Sequence, residues 1–178
     1  MAITTKRGDK GRTCLLRGGM VSKDDARIEA CGTLDELCSA LGLAKSMVGE
    51  KNIKNIIESI QTDLFTLGAE VTSKVQFIDR LSKQIGSIEV KRLERLIDKF
   101  ETQSSSKKCG FCLPGENASS GSLDLARTVA RRAERRIVTL KRKRMLKNDN
   151  CLIYLNRVSD LLYLLARSYD KKPRKPSH

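Results

Sequence analysis

Apolar residues recur along this chain at intervals of three and four, the spacing that puts side chains on one face of an α-helix. Leu34, Leu37, Leu41, Ala44 and Val48 make the first stripe, on a helix expected to run to about Met47. Ile53, Ile56, Ile57, Ile60, Leu64, Leu67 and Val71 make a longer second one. After Ser87 come Ile88, Leu93, Leu96, Ile97 and Phe100, then Leu123, Ala126, Ala130, Ala133, Ile137 and Leu140. Ile153, Val158, Leu161, Leu162 and Leu165 close the series. Thr33-Leu34-Asp35-Glu36 reads as a capping box that starts the first helix, with the Thr33 hydroxyl and the Glu36 carboxylate satisfying free backbone donors. No segment sustains period-two alternation, so no strand is expected. Helices with one apolar face each bury those faces most simply against one another. The expected fold class is therefore all-α, a five-helix bundle.

The segments between stripes sort by composition. Residues 74–86 and 102–118 carry Gly, Ser, Pro and Lys and read as loops, the second long enough to be functional. At 178 residues the chain is one domain, expected over 1–169, with an N-terminal segment at 1–32 and the bundle at 33–169. The remainder, "DKKPRKPSH" at 170–178, reads as a basic disordered tail.

Charge narrows the partners. Lys and Arg number 35 against 21 Asp and Glu, a net charge of +14 that attracts nucleic acid, phospholipid or a polyphosphate. Trp is absent and aromatics are 4% of the chain, which argues against base-stacking platforms. The six cysteines follow no apolar leader, and nothing approaches a membrane-spanning apolar run. Reduced thiols and a cytoplasmic location are expected, although a processed organelle protein would look the same. Cys109 and Cys112 have redox or zinc spacing, but the only His is His178 and Leu113-Pro114-Gly115 breaks any following helix. A packed thiol is the simpler reading there, and no resident metal site is expected.

The fourth stripe carries the densest signal. From Arg127 to Lys147 stand ten Lys and Arg with Glu134 as the one carboxylate. Arg127, Arg131 and Arg135 stack on one face, and Arg132 and Arg136 form the next row. Such rows repel unless something acidic is near, and arginine grips phosphate or carboxylate bidentately. Lys141 to Lys147 read instead as a solvated face. The polar opening "TTKRGDKGRT", residues 4–13, offers Thr5, Lys6, Arg7 and Thr13 as donors, with Gly8 and Gly11 permitting close backbone approach. With the arginine stack it suggests a polyphosphate, although no Walker A pattern is present. Asn156, polar within a nearly continuous apolar run, is either a structural bridge or a ligand contact.

Five ordered blocks, "TTKRGDKGRT", "SKDDARIEACGTLDEL", "GFCLPG", "ARTVARRAERR" and "YLNRVSDLLYLLAR", closely resemble the motifs of the PduO-type ATP:cob(I)alamin adenosyltransferases. The resemblance runs from residue 4 to about 168. It implies a homotrimer of five-helix bundles with ATP held between subunits. Its reaction moves the 5′-deoxyadenosyl group of ATP to the cobalt of cob(I)alamin and releases triphosphate. Mapped by motif, Thr5, Lys6, Arg7, Gly8, Thr13 and Cys14 cradle the nucleotide, and Lys23 reaches a phosphate. The block from Arg131 through Arg132 and Glu134 to Arg135 supplies the arginine side of the ATP site, and Asn156 holds the nucleotide from the last helix. Asp35 pairs with Arg127 across a subunit boundary, and Phe111 crowds the lower face of cobalt. Asp35, Phe111, Arg127 and Arg131 are thus the expected catalytic set, with Mg²⁺ accompanying ATP. A flavin reductase and an adenosylcobalamin-dependent mutase or dehydratase are the protein partners it points to. The chain departs from the family pattern at Ile3-Thr4, Arg7 and Glu116. Two rival readings stand beside it: a basic helical nucleic-acid-binding protein, and a cobalamin carrier without turnover.

Overall fold

The computed structural model describes residue 4, residues 6–103 and residues 112–171. Five α-helices form the body: α1 Ala26–Met47, α2 Lys51–Val71, α3 Ser87–Gln103, α4 Ala118–Arg142 and α5 Asn150–Tyr169. The helix α4 lies between α1 and α5, with α2 packed on α1 and α3 on α5. Leu37 and Leu41, Ile57 and Ile60, Leu93, Leu123 and Ile137, and Leu155 meet in the shared core and are fully buried. The stripes read from the sequence are these faces, with two corrections. Ile88 is 76% exposed and Ile153 39% exposed, because Val90 and Leu93, and Tyr154 and Val158, set the inward phase of their helices.

Two further expectations fail. First, the chain does contain strands: β1 Arg12–Leu15 pairs antiparallel with β2 Gly19–Ser22. Of the eight paired residues only Leu15 is buried, so no alternating apolar signal exists to read. Second, α1 begins before Thr33. Its N-cap is Asp25, whose carboxylate accepts from the Arg27 amide at 2.8 Å. Thr33 is a buried mid-helix residue whose hydroxyl donates to the Glu29 carbonyl at 2.8 Å. The Thr-x-x-Glu pattern is real, but Asp25 supplies a cap one helical stretch earlier.

Buried polar groups fix the connections. Arg27 donates from Nη1 to the carbonyls of Val71 and Ser73, each at 3.0 Å, tying the start of α1 to the end of α2. The backbone of Lys74 donates to the Arg17 carbonyl at 2.9 Å, seating the hairpin on the same corner. Glu70, fully buried, accepts from the Ile85 amide at 2.6 Å and from Asn148 at 2.9 Å. Asp63 accepts from Tyr154 at 2.8 Å and pairs with Arg92. The stretch 74–86 thus holds a 3₁₀ helix, Val75–Arg80, and the buried Ile85. At the far end Asp170, the first residue of the expected tail, is 2% exposed and pairs with Arg167 at 2.9 Å.

Candidate functional site

The polar opening folds into a tight turn ahead of the hairpin. The Gly11 amide donates to the Gly8 carbonyl at 3.2 Å, and the Lys23 amide to the Gly11 carbonyl at 2.9 Å. This register returns Lys23 over Gly8: a Cβ built on Gly8 would lie 2.9 Å from Lys23 Nζ. Any side chain there would displace the ammonium, so the glycine is what lets the cation sit over the turn. Lys6 adopts a left-handed backbone with φ of 56°, and Lys6, Arg7 and Cys14 are exposed, with Thr13 half-buried. Lys6, Arg7, Gly8, Thr13, Cys14 and Lys23 are therefore brought onto one small unit, the turn and its hairpin. Thr5 lies outside the described residues.

Along α4 the cations divide by what faces them. Arg132 pairs with Glu36 and Arg136 with Glu29 at 2.7 Å, so this row is spent on α1. Arg127, half-buried, donates from Nε to Asp124 Oδ1 at 2.9 Å. Arg135 donates to the Arg131 carbonyl at 3.1 Å. Arg131 makes no ion pair among the described residues. It and Arg127 open on a cleft of about 310 Å³ between α4 and α5, lined also by Glu101, Ser159, Asp160 and Tyr163. Asn156 is half-buried and donates to Glu134 at 3.4 Å while accepting from Arg157 at 2.7 Å. Glu134 and Asn156 thus form a polar bridge between α4 and α5.

Asp35 lies elsewhere. It is exposed on α1 and lines a separate cleft of about 440 Å³ with Leu16, Cys31, Cys38 and Phe65. No ion pair joins it to Arg127 within the chain. Burial pushes the Cys31 and Cys38 thiols up, and Asp35 adds to both. They stay protonated at neutral pH, and Asp35 is the one acidic side chain in the lining of this largely apolar cleft. Leu16 is 61% and Phe65 76% exposed there.

Phe111 lies outside the described residues, as does Cys109. The loop after it is placed: Gly115 has φ of 89°, and a Cβ on Gly121 would come within 3.3 Å of the Gly115 Cα. The Leu113-Pro114-Gly115 turn therefore rests on the first turn of α4, capped by Asn117 and Ser120. Cys112 meets Arg167, a contact that sequence reasoning missed. Arg167 is 5% exposed, pairs with both Asp124 and Asp170, and donates to Cys112 Sγ at 2.6 Å. Burial disfavours its charge, but Cys112 and the two carboxylates outweigh that and hold the guanidinium above its ordinary pKa. The available signal was an arginine following an unbroken apolar run in "YLLAR", where burial demands partners.

A family model described as cobalamin adenosyltransferase matches residues 3–169 of this chain. The chain belongs to the cobalamin adenosyltransferase family. A corrinoid adenosyltransferase of Citrobacter freundii is 39% identical, over 96% of this chain and 96% of its own length. The corrinoid adenosyltransferase PduO of Salmonella typhimurium is 41% identical over 96% of this chain, which spans 50% of that longer relative. Among solved structures, a PduO-type ATP:corrinoid adenosyltransferase from Lactobacillus reuteri superposes with a TM-score of 0.88. That structure, an arginine-to-lysine variant complexed with ATP, is 34% identical and matches 98% of this chain and 100% of its own. A phenylalanine-to-alanine variant from the same organism, complexed with cobalamin and ATP, superposes at 0.88 with 32% identity, over 99% of this chain and 100% of its own. The adenosyltransferase fold thus accounts for the whole described body, hairpin included.

Proposed function

We propose that this protein transfers the 5′-deoxyadenosyl group of ATP to the cobalt of cob(I)alamin, giving adenosylcobalamin and inorganic triphosphate. Within the chain the reading is carried by the division of α4: Arg132, Arg136 and Arg127 each have a carboxylate, while Arg131 has none and opens on the α4–α5 cleft. A cation without an internal partner, beside another already aimed, suits an anion that arrives from outside. Cob(I)alamin is the nucleophile. Its cobalt forms a bond to C5′ of ATP, the C5′–O bond breaks, and triphosphate leaves with the electron pair. The protein's own work is to align the two substrates and to offset the charge on the leaving oxygens.

Arg131 serves the triphosphate, with Lys23, Lys6, Arg7, Gly8 and Thr5 on the opposite side and Thr13, Cys14 and Asn156 towards the nucleoside. Arg132, Glu134 and Arg135 support this wall of α4. Among the described residues no group of three or more His, Cys, Asp or Glu is placed to hold a metal ion. Mg²⁺ would come as the counter-ion of ATP and would neutralise phosphate oxygens there. The active assembly is a homotrimer. The N-terminal turn and the α4–α5 cleft then complete one another between subunits, and Asp35 of one subunit meets Arg127 of the next. The exposed Leu16 and Phe65 around Asp35 support that arrangement, since an apolar surface ringing one carboxylate suits burial against a partner. Phe111 takes the lower face of cobalt, removing its axial ligand so that reduction from Co(II) becomes easier. A flavin reductase supplies that electron, and a mutase or dehydratase takes the product. Of the described helices, none is long and apolar enough to cross a membrane.

Mixing the protein with MgATP and chemically reduced cobalamin tests the proposal. Light-sensitive Co–C absorbance must appear over many turnovers; product stopping at one equivalent per site points to a carrier. Tight DNA binding that falls steeply with salt, without product, would favour the nucleic-acid reading.

A further inference from the structure

Beneath the α4–α5 cleft one buried carboxylate is shared by two guanidinium groups. Asp124 is 4% exposed; its Oδ1 accepts from Arg127 Nε at 2.9 Å, and its Oδ2 from Arg167 Nη2. Arg167 is itself fixed from other sides, by Asp170 at 2.9 Å, by Cys112 at 2.6 Å and by the ring of Tyr163, whose centroid lies 5.6 Å from the guanidinium carbon. Asp124 therefore has little rotational freedom.

The edge of Arg127 that Asp124 occupies matters. A guanidinium offers a side edge containing Nε and an end edge formed by Nη1 and Nη2. With Nε taken, the end edge remains for an external carboxylate or phosphate. A free arginine loses rotamer entropy when it is fixed. Here much of that loss occurs on folding, before any substrate arrives.

We infer that Asp124 is a positioning residue for adenosyl transfer: locked by Arg167, it aims the end of Arg127 into the cleft. The inference rests on the adenosyltransferase reading. Through Cys112 the same buried guanidinium also anchors the loop that follows Phe111, so the nucleotide side and the cobalt side share one support. An asparagine at 124 cannot replace the carboxylate. Its oxygen can serve one guanidinium, and its NH₂ must then face the other as donor against donor.

The test is a double-mutant cycle on the single-turnover rate, which remains measurable over several decades. Asp124→Asn lowers the rate at least tenfold in the wild-type background and less than twofold in Arg127→Ala, because the residue it aims is already gone. Asp124→Glu, which keeps a carboxylate within reach of Arg127, recovers at least a third of the wild-type rate. A merely structural role gives equal losses in both backgrounds and no rescue. Equal losses, or an Asp124→Asn rate within twofold of wild type, overturn the inference. Should Asp124→Asn not fold, Arg167→Lys goes through the same cycle under the same criterion. A wild-type protein that forms no Co–C product overturns the underlying reading, whatever the variants do.

Discussion

Arg131→Ala separates the two arginine rows of α4 more cleanly than any other substitution. Arg131 is exposed and makes no ion pair among the described residues, and its carbonyl still accepts from Arg135 after the change. Stability should therefore move by less than about 0.5 kcal/mol, or roughly 1–2 °C in Tm for a chain of this size. A charge-assisted hydrogen bond to phosphate is worth about 1.5–3 kcal/mol. At about 1.4 kcal/mol per decade, MgATP affinity should fall roughly ten- to hundredfold. Arg132→Ala is the control, because that guanidinium is engaged with Glu36 at a site where the two side chains are 45% and 57% exposed. A surface pair of this kind is worth at most about 1 kcal/mol of stability. Its loss should leave MgATP affinity within about twofold. Isothermal titration calorimetry reads both affinities, and thermal melts read both stabilities. If Arg131→Ala binds MgATP like the wild type while Arg132→Ala loses tenfold, the triphosphate does not lie in the α4–α5 cleft and the reasoning fails.

Asp35→Asn should lower turnover at least tenfold while light scattering still reports a trimer; a wild-type monomer at micromolar concentration would contradict the shared site. Phe111→Ala should keep near-normal MgATP affinity and Tm, losing product with cob(II)alamin and a mild flavin reductant and regaining much of it with pre-reduced cob(I)alamin. Equal failure under both reductants removes the role given to Phe111. Glu89 bears on stability against pH. Burial alone would raise its pKa, but the Gly86 amide at 3.0 Å and Lys83 at 3.1 Å prevail and hold it below the ordinary glutamate value. Its contribution is therefore complete above the unfolded-state pKa and is lost as pH falls through the lower folded one. Glu89→Gln should cost about 0.5–1 kcal/mol at pH 7 and progressively less as the pH is lowered through the acid range, by urea melts. A cost that does not change with pH would show that the carboxylate's charge is irrelevant.

The second and fourth helices were legible because their apolar stripes run unbroken for several turns and burial follows the same phase; the fifth was legible except at Ile153, where Tyr154 turns inward instead. The first was legible in its body but not in its start. Ala26 to Gly32 offers few large apolar residues, and the cap is Asp25, not Thr33. The hairpin had no readable pattern, since it is held by the seating of Arg17 on Ser73 and Lys74 rather than by an apolar face. In the site, spacing alone revealed two arginine rows. Which row is free depends on Glu29 and Glu36, which a distant helix brings alongside. Asp124 and Arg167 escaped notice for a similar reason. Three residues before Arg127, Asp124 looks like an ordinary helix-surface pair, and only the packing of α5 on α4 turns it into a buried junction.

The central claim is that this chain moves an adenosyl group rather than merely binding or hydrolysing ATP. Supplying ATP labelled with ¹³C at C5′ together with cob(I)alamin tests it most directly. The account predicts that the label appears bonded to cobalt in adenosylcobalamin, matched mole for mole by intact triphosphate in the ³¹P spectrum. Label retained in ATP, ADP or adenosine, with orthophosphate in place of triphosphate, would contradict it.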